Sequence, residues 1–225
     1  MPKLLALNSP YIDVHSHDPI PSPHIGLQSF FIQEINIEDT SFSNCSIGIH
    51  PWHILKTDIP KSLASLDLLA KLPMIKAVGE CGLDRSISVD FDLQKRIFLS
   101  HLSIAELQNK PMIVHNVRAF ADFLSILKTH KPNIPIIFHA FNGNSDILKK
   151  LLPFNVYFSF GSNLFHEMSK ESRIIKQIPI NRIFLETDDW KGSIEDIYKI
   201  AAKKMEISLV ELRRNINYNY KILFL

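Results

Sequence analysis

Glycine and cysteine are both scarce in this chain of 225 residues, which contains seven glycines and two cysteines. With so few glycines, the loops must be built mainly from proline, asparagine, serine and aspartate. The two cysteines, Cys45 and Cys81, do not form a CxxC pair. The sequence therefore gives no sign of a disulfide framework.

Long hydrophobic runs and a large net charge are also absent. The apolar runs fall far short of the roughly 18 residues that span a bilayer, and Met1–Pro10 has no basic segment followed by a long apolar run. We therefore expect a cytoplasmic protein with no membrane association. The formal net charge of +2 does not favour electrostatic coating of nucleic acid, but it permits a local basic rim that meets a few phosphates.

The composition that remains is that of a globular domain, with 46% hydrophobic and 21% charged residues. No internal repeat or low-complexity tract divides the chain, and the proline-rich stretch Asp18–His24 is too short for an interdomain linker. We expect residues 1–225 to form one domain.

Short apolar or β-branched segments recur along the chain and predict eight strands. They are Tyr11–His15, Ile25–Ile32, Cys45–His50, Ile75–Glu80, Met112–His115, Ile134–His139, Asn155–Phe160 and Arg182–Thr187. Stretches with helical period follow the later strands, at Asp90–Leu107, Arg118–Thr129, Ser145–Leu152, His166–Gln177 and Ser193–Leu225. This alternation indicates a parallel sheet, and eight strands indicate closure into a TIM-type (β/α)8 barrel.

The first part of the chain departs from the regular pattern. Only Ser16–His24 separates the first two predicted strands, and the gap before the third strand has no clear amphipathic period. We expect a compact, irregular α/β barrel in which the helices after the first two strands are short or missing. An exposed apolar flank of this kind favours a homodimer.

Most of the predicted strands end in a residue that can bind a metal. In a TIM barrel these ends converge on one mouth, where the active site lies. His15 and His17 are two residues apart, so they point the same way and can share one cation, with Asp13 beneath them. Alternation along the eighth strand likewise directs Asp188 to the mouth and Asp189 away from it.

Three further strand ends supply the remaining ligand types. Glu80 has two carboxylate oxygens and can bridge two cations, while His115 and His139 can hold the second one. A lone histidine is more often a surface or core residue, and we interpret five histidines that way: His24, His53, His101, His130 and His166. The full set at matching strand ends is what favours a metal centre.

The motifs of this set, in order, resemble the TatD family of metal-dependent hydrolases, which belong to the amidohydrolase-like barrels. They are Ile12-Asp13-Val14-His15-Ser16-His17, Gly48-Ile49-His50-Pro51, Val78-Gly79-Glu80-Cys81-Gly82-Leu83-Asp84, Pro111-Met112-Ile113-Val114-His115, Phe138-His139-Ala140-Phe141, Leu185-Glu186-Thr187-Asp188 and Asn219-Tyr220-Lys221-Ile222-Leu223-Phe224. The resemblance implies two divalent metal ions, with zinc, manganese and magnesium as the alternatives. The ligands that it implies are His15, His17, Glu80, His115, His139 and Asp188, with Glu80 bridging.

The resemblance also implies a phosphodiesterase that cleaves DNA, and single-stranded ends are the expected substrate. Metal-activated water would be the nucleophile, with Glu80 and Asp188 as the catalytic residues. His50, Arg85 and Arg118 are candidates for binding substrate phosphate. Arg85 and Arg118 also mark departures from the usual family pattern, because an aromatic residue is usual after Gly-Leu-Asp and the spacing from histidine to arginine is one residue longer here.

Two other functions remain open from the residues. The first is hydrolysis of an amide, ester or lactone by the same metals, and the second is a non-catalytic metal-binding protein of the same fold. A complete ligand set argues against the second. The aromatic residues Trp52 and Trp190 flank the predicted mouth, where they either stack a base or pack on the barrel rim.

Overall fold

Eight strands form one sheet in which every strand runs parallel to its neighbours and the strand order follows the chain. The computed structural model describes residues 9–35 and 43–225. The strands are β1 (Ile12–Ser16), β2 (Ile25–Phe31), β3 (Cys45–Gly48), β4 (Ile75–Asp84), β5 (Met112–Val117), β6 (Ile136–Phe138), β7 (Val156–Phe160) and β8 (Ile183–Leu185). Each overlaps one of the eight predicted segments, so the predicted barrel is confirmed.

The barrel closes between its first and last strands through a single bridge at the mouth. Ser16 and Asp188 pair in parallel. The Asp188 N–H donates to the His15 carbonyl at 2.9 Å, and the His17 N–H donates to the Asp188 carbonyl at 3.2 Å. Closure therefore holds three of the predicted ligands at one point of the backbone.

Seven helices are present in the described ranges. They are α1 (Ile59–Leu69), α2 (Phe91–Leu107), α3 (Phe120–His130), α4 (Ser145–Leu151), α5 (Lys170–Ile174), α6 (Ile194–Met205) and α7 (Leu209–Phe224). The last six lie in the segments with helical period, but α1 was not predicted. Only Leu66 and Leu69 of α1 are buried, which explains its weak pattern, and the Asp58 side chain caps it by accepting from the Lys61 N–H.

The connection between β1 and β2, residues 17–24, is short and has no helix, as predicted. A 3-10 turn at Ile32–Glu34 follows β2, and the rest of the predicted gap, residues 36–42, lies outside the described residues. Ile25 on this flank is 38% exposed. The homodimer proposed for this side stays a prediction.

Five strands, β1, β3, β6, β7 and β8, are buried along their whole length, as expected for a parallel barrel covered by helices, whereas β2 is partly exposed. One buried contact helps to hold β1 in place for the site. Tyr198 of α6 is fully buried, and its hydroxyl bonds to both the N–H and the carbonyl of Ile12, each at 3.1 Å. Across the ranges 9–35 and 43–225, the helices are all too short or too polar to cross a bilayer.

Candidate metal centre

Four histidines and two carboxylates meet at the carboxyl-terminal end of the barrel. His15, Glu80 and His115 lie on β1, β4 and β5, while His139 directly follows β6. The full set of converging side chains is His15, His17, Glu80, His115, His139 and Asp188. Parallel strands bring their ends to one mouth, and for this reason residues up to 173 positions apart become neighbours.

Glu80 lies at the centre of the set, and its two oxygens face different histidines. Oε2 lies 3.3 Å from His15 Nε2 and 3.5 Å from His17 Nε2. Oε1 lies 2.8 Å from His139 Nε2 and 2.9 Å from His115 Nδ1. The carboxylate therefore divides the histidines into two pairs, with one oxygen for each pair.

Asp188 completes the side of the cluster that contains His15 and His17. Its Oδ1 lies 3.5 Å from His15 Nε2 and 3.6 Å from His17 Nε2, and its side chain is 35% exposed. Its φ of 55° is in the left-handed region that aspartate tolerates better than most residues. The neighbouring Asp189 is exposed, although one of its oxygens lies within 4.8 Å of ligand atoms of His17 and Asp188.

Gly79 makes room for the backbone that presents Glu80. Its φ is +142°, and a Cβ at this position would lie 2.2 Å from the carbonyl oxygen of Ile113 on β5. That distance is far below van der Waals contact, so a side chain here would push β4 away from β5. Glycine is therefore required for the register that sets Glu80 between the histidines.

The carboxylates and histidines of the cluster shift each other's pKa values in the directions that favour a negative carboxylate beside positive charge. Burial acts to lower the pKa of His15, but the adjacent carboxylates of Asp188 and Glu80 raise it to about 9. Burial acts in the same direction on His139, whose pKa is nevertheless raised well above its usual value by Glu80 and Glu186. Conversely, burial would raise the pKa of Glu80, but His139, His115 and His15 hold it well below the usual range.

The unpaired nitrogens at the site fit bound cations. His15 is fully buried, yet neither of its ring nitrogens makes a hydrogen bond in the described structure. An unpaired buried nitrogen is costly unless something satisfies it. Imidazole and carboxylate donors suit zinc and manganese, and carboxylate oxygens also suit magnesium. The residues present therefore fit divalent cations on both sides of Glu80.

Two carboxylates orient the histidines of the second pair, and neither had been assigned a role from the sequence. Asp84 Oδ2 lies 3.3 Å from His115 Nε2, on the side of the ring opposite Glu80. Glu186 Oε1 lies 3.6 Å from His139 Nδ1 and accepts the Ala140 N–H at 2.6 Å. Carboxylates in such positions set the tautomer and orientation of metal-binding histidines. Asp84 and Glu186 lie within two of the family-like motifs, and this position is the sequence signal that could have pointed to them.

Comparisons with known proteins agree with this arrangement. A profile of the family described as "TatD related DNase" matches residues 31–224. The chain belongs to the TatD family. An uncharacterized metal-dependent hydrolase of Bacillus subtilis, YabD, is 32% identical over 155 residues, which cover 68% of this chain and 60% of that protein. A putative deoxyribonuclease of mouse, TATDN3, is 29% identical over 63% of this chain and 52% of its own length.

The TatD-family chain thus spans between about half and three fifths of these two relatives. Among solved structures, the TatD homologue YjjV of Escherichia coli superposes with a TM-score of 0.80 at 18% identity, covering 95% of this chain and 97% of that one. A TatD-family hydrolase of Entamoeba histolytica gives a TM-score of 0.74 at 15% identity, over 96% and 98% of the two chains. These structural matches show the shared barrel fold.

His50 lies beside the cluster of histidines and carboxylates and donates a hydrogen bond to it. Its Nδ1 accepts the Trp52 N–H at 3.2 Å, which leaves the proton of the neutral ring on Nε2, 3.2 Å from Glu80 Oε1. Burial lowers the pKa of His50 despite the opposing effect of Glu80, so the ring is held neutral. Nδ1 of His50 is thus occupied by the backbone, while Nε2 faces Glu80, in a group with Glu80 and His115 whose ligand atoms all lie within 4.8 Å of one another.

The backbone before His50 depends on a buried histidine that had been interpreted as a core residue. His101 of α2 accepts the Ile49 N–H on Nε2 at 2.9 Å, and its Nδ1 bonds to the Ile97 carbonyl at 2.8 Å. Burial lowers its pKa to about 4, so the ring stays neutral. Asp13 of β1 likewise fixes the backbone just after β8. Its carboxylate accepts from both the N–H and the hydroxyl of Thr187, at 3.0 and 2.7 Å.

The two arginines predicted to bind phosphate differ in their surroundings. Arg85 makes two hydrogen bonds to Asp122, at 2.8 and 3.0 Å, and its guanidinium stacks 3.8 Å from the centre of the Phe91 ring. Its charge is already balanced, so no contact supports a phosphate role for it. Arg118, by contrast, is exposed and forms no ion pair in the described parts of the chain.

The other histidines stand apart from the cluster or serve the fold. His24 lies 3.6 Å from Glu195, and His53 bonds to Gln33 at 2.8 Å. His130 ends α3, and His166 is an exposed residue after a 3-10 turn. Both cysteines are buried and free.

Proposed function

We propose that this chain is a phosphodiesterase that cleaves DNA with two divalent cations, zinc, manganese or magnesium. The observation that carries the proposal is the division of the histidines by Glu80, because a carboxylate with one oxygen toward each pair can bridge two cations. Metal ions at such a site lower the pKa of bound water and polarise a phosphoryl oxygen. The name of the mouse relative, a putative deoxyribonuclease, supports DNA as the substrate.

The ligands fall into two groups. His15 Nε2, His17 Nε2, Asp188 and Oε2 of Glu80 would hold the first cation. His115 Nδ1, His139 Nε2 and Oε1 of Glu80 would hold the second. The first group uses histidines two residues apart on one strand, and the second joins histidines from neighbouring strands.

Asp188 is the residue suited to accept the proton of the attacking water. Burial acts to raise its pKa, but the adjacent ring of His15 and the charges of His15 and His139 outweigh that effect and lower it. The side chain is therefore a carboxylate at neutral pH and can accept a proton. At 35% exposed, it is also the most accessible carboxylate of the set, whereas the Glu80 side chain is 4% exposed.

His50 is suited to bind the substrate rather than a cation. Its Nε2–H points into the cluster at Glu80 Oε1, and a phosphoryl oxygen placed there can accept the same proton. The neighbouring Trp52 is 58% exposed, and its Nε1–H donates to Asp84 at 2.7 Å, which holds the indole at the mouth. A held, exposed indole offers a stacking surface for a base.

The test begins with the metal content and activity of the purified protein. The protein is loaded with each metal and given labelled single-stranded and duplex DNA, a small phosphodiester, and a panel of amides, esters and lactones. We expect two metal equivalents, hydrolysis of the phosphodiesters, and loss of activity on chelation with the fold retained, since the barrel has its own core. Hydrolysis confined to amides or lactones would contradict the phosphodiesterase assignment.

Glu80→Gln tests the bridging role directly. The neutral amide bridges two cations poorly, so metal content should fall at both sites and the rate should fall by several orders of magnitude. His166→Gln is the matched control, because His166 is exposed and outside the cluster, and it should keep both equivalents. A Glu80→Gln protein with full metal content and a near-normal rate would overturn the bridge.

A further inference from the structure

A groove near the carboxyl-terminal ends of β5 and β6 has the lining expected of a phosphate-binding subsite. It has a volume of about 340 Å³ and is lined by Arg118, Phe120, Asn142, Asn144 and Lys170, among others. These residues come from the loops after β5 and β6 and from the start of α5, which follows β7. All three segments leave the barrel at its carboxyl-terminal end, so the groove opens on the same face as the cluster.

The groove is close to the proposed ligands along the chain. Arg118 is three residues after His115, and Asn142 is three residues after His139. Three residues of extended chain span at most about 11 Å. The backbone of the groove therefore lies within reach of a substrate whose reacting phosphate is held between the two histidine pairs.

The charge of the groove is positive and unbalanced. In the described ranges, the side chains of Arg118 and Lys170 make no ion pair or hydrogen bond, and no acidic side chain lines the groove. In the described ranges, seven other cations form ion pairs: Arg85, Lys71, Lys95, Lys176, Lys191, Lys199 and Lys204. The groove thus combines two free cations with amide groups that can bond an anion.

Arg118 also occupies a backbone conformation that arginine adopts at a cost. Its φ is 55°, in the left-handed region that asparagine and glycine tolerate better. Strained residues are frequent at ligand sites, and Arg118 lines the groove with an unpaired charge. No intramolecular partner accounts for it in the described part of the chain.

We infer that Arg118 and Lys170 bind a second phosphate of an oligonucleotide strand whose neighbouring phosphodiester lies at the metal centre. The inference rests on the proposed function and deepens it, because it makes a strand of several nucleotides the preferred substrate over an isolated phosphodiester. Phe120, half-buried at the same groove, provides an apolar surface beside the bound phosphate.

The kinetic test compares a short single-stranded oligonucleotide with a small phosphodiester that fills only the metal centre. Lys170→Gln should raise the KM for the oligonucleotide by about 1.5- to 5-fold, as exposed ion pairs do, with kcat unchanged. Its rate on the small phosphodiester should also be unchanged. Arg118→Asn with Lys170→Gln should raise the oligonucleotide KM by about 2- to 30-fold.

Two further readouts separate charge from structure. The slope of log affinity against log salt should fall by about 0.7 for each phosphate of the single strand that the variant no longer neutralises. Arg118→Asn should keep or raise the melting temperature, because asparagine accepts the left-handed backbone more readily. The matched control is Lys150→Gln with Arg214→Gln, which removes two exposed charges outside the groove and should leave the oligonucleotide KM and salt slope close to those of the wild type.

Binding measured without hydrolysis distinguishes failure of this inference from failure of the proposed function. Fluorescence anisotropy of a labelled oligonucleotide with the chelated protein reports binding without the contribution of the metals, and comparison of the double variant with the wild type isolates the groove. Weaker binding by the double variant supports the subsite, even if the loaded protein hydrolyses no phosphodiester. Equal oligonucleotide affinity, KM and salt slope in the double variant and the wild type would overturn the subsite, even if the protein proves to be an active phosphodiesterase.

Discussion

Replacement of Asp188 by asparagine separates the role of its charge from the role of its shape. Oδ1 of Asp188 is 3.5 Å from His15 Nε2 and 3.6 Å from His17 Nε2. Asparagine has nearly the same volume and also tolerates the φ of 55° at this position. The substitution therefore keeps the backbone that closes the barrel but removes a negative charge and a proton acceptor.

The expected loss follows from the proposed role as general base. Removal of such a base costs about 10²- to 10⁴-fold in rate, which corresponds to about 3–5 kcal/mol of transition-state stabilisation. Much of the metal should remain, because the four histidines and Glu80 still supply ligands. The assay is kcat on a phosphodiester together with the metal content of the same preparation.

Asp189→Asn is the matched control for this experiment. Asp189 is exposed and adjacent in sequence, and one of its oxygens comes within 4.8 Å of ligand atoms of His17 and Asp188. Because Asp188, unlike Asp189, approaches both His15 and His17, we expect Asp189→Asn to change kcat by less than about tenfold, well below the cost of losing a base. If Asp189→Asn is the inactive variant and Asp188→Asn is active, the assignment of the base is wrong.

Three other predictions follow from contacts around the cluster. Glu186→Gln keeps the acceptor for the Ala140 N–H but removes the charge beside His139 Nδ1. Metal affinity, measured by titration, should therefore fall about 10- to 100-fold. Unchanged affinity would show that Glu186 does not orient His139. Gly79→Ala places a Cβ 2.2 Å from a backbone oxygen and should cost at least about 1–3 kcal/mol in thermal or urea unfolding, whereas Gly161→Ala, whose Cβ meets its nearest atom at 3.2 Å, should cost less. His101 has a pKa of about 4 in the folded protein, against the ordinary histidine value of 6.5 in the unfolded chain. Between these pH values the unfolded chain binds one more proton than the folded protein. The free energy of unfolding therefore falls as the pH falls, by about 3 kcal/mol in total. His101→Gln should show a smaller loss in urea titrations across that window, and an identical loss would contradict the buried neutral ring.

Much of the fold and the proposed ligand set could be predicted because both depend on local rules. Side-chain alternation places His15 and His17 on one face of a strand, and parallel closure brings all strand ends to one mouth. Neither rule needs a distance between remote residues. Helix α1 escaped prediction because only two of its residues, Leu66 and Leu69, are buried, so its apolar pattern was weak.

The roles that the sequence left undecided depend on which remote side chains meet. Arg85 and Arg118 are alike in sequence, but Asp122 lies 37 positions from Arg85 and neutralises it, while Arg118 keeps its charge in the described structure. Likewise, the carboxylate of Glu186 reaches the Ala140 N–H across 46 positions.

Strand periodicity and strand-end position are properties of neighbours along the chain, so the eight-stranded barrel and the residue types at its mouth are predictable from the sequence. Only the tertiary structure decided how those residues are used. It sets one oxygen of Glu80 toward each histidine pair, turns Nε2 of His50 toward Glu80 and leaves the charge of Arg118 unpaired in the described structure. The physical reason is that hydrogen bonds, tautomers and charge pairing are set by distances of a few ångströms between atoms that the chain itself holds far apart.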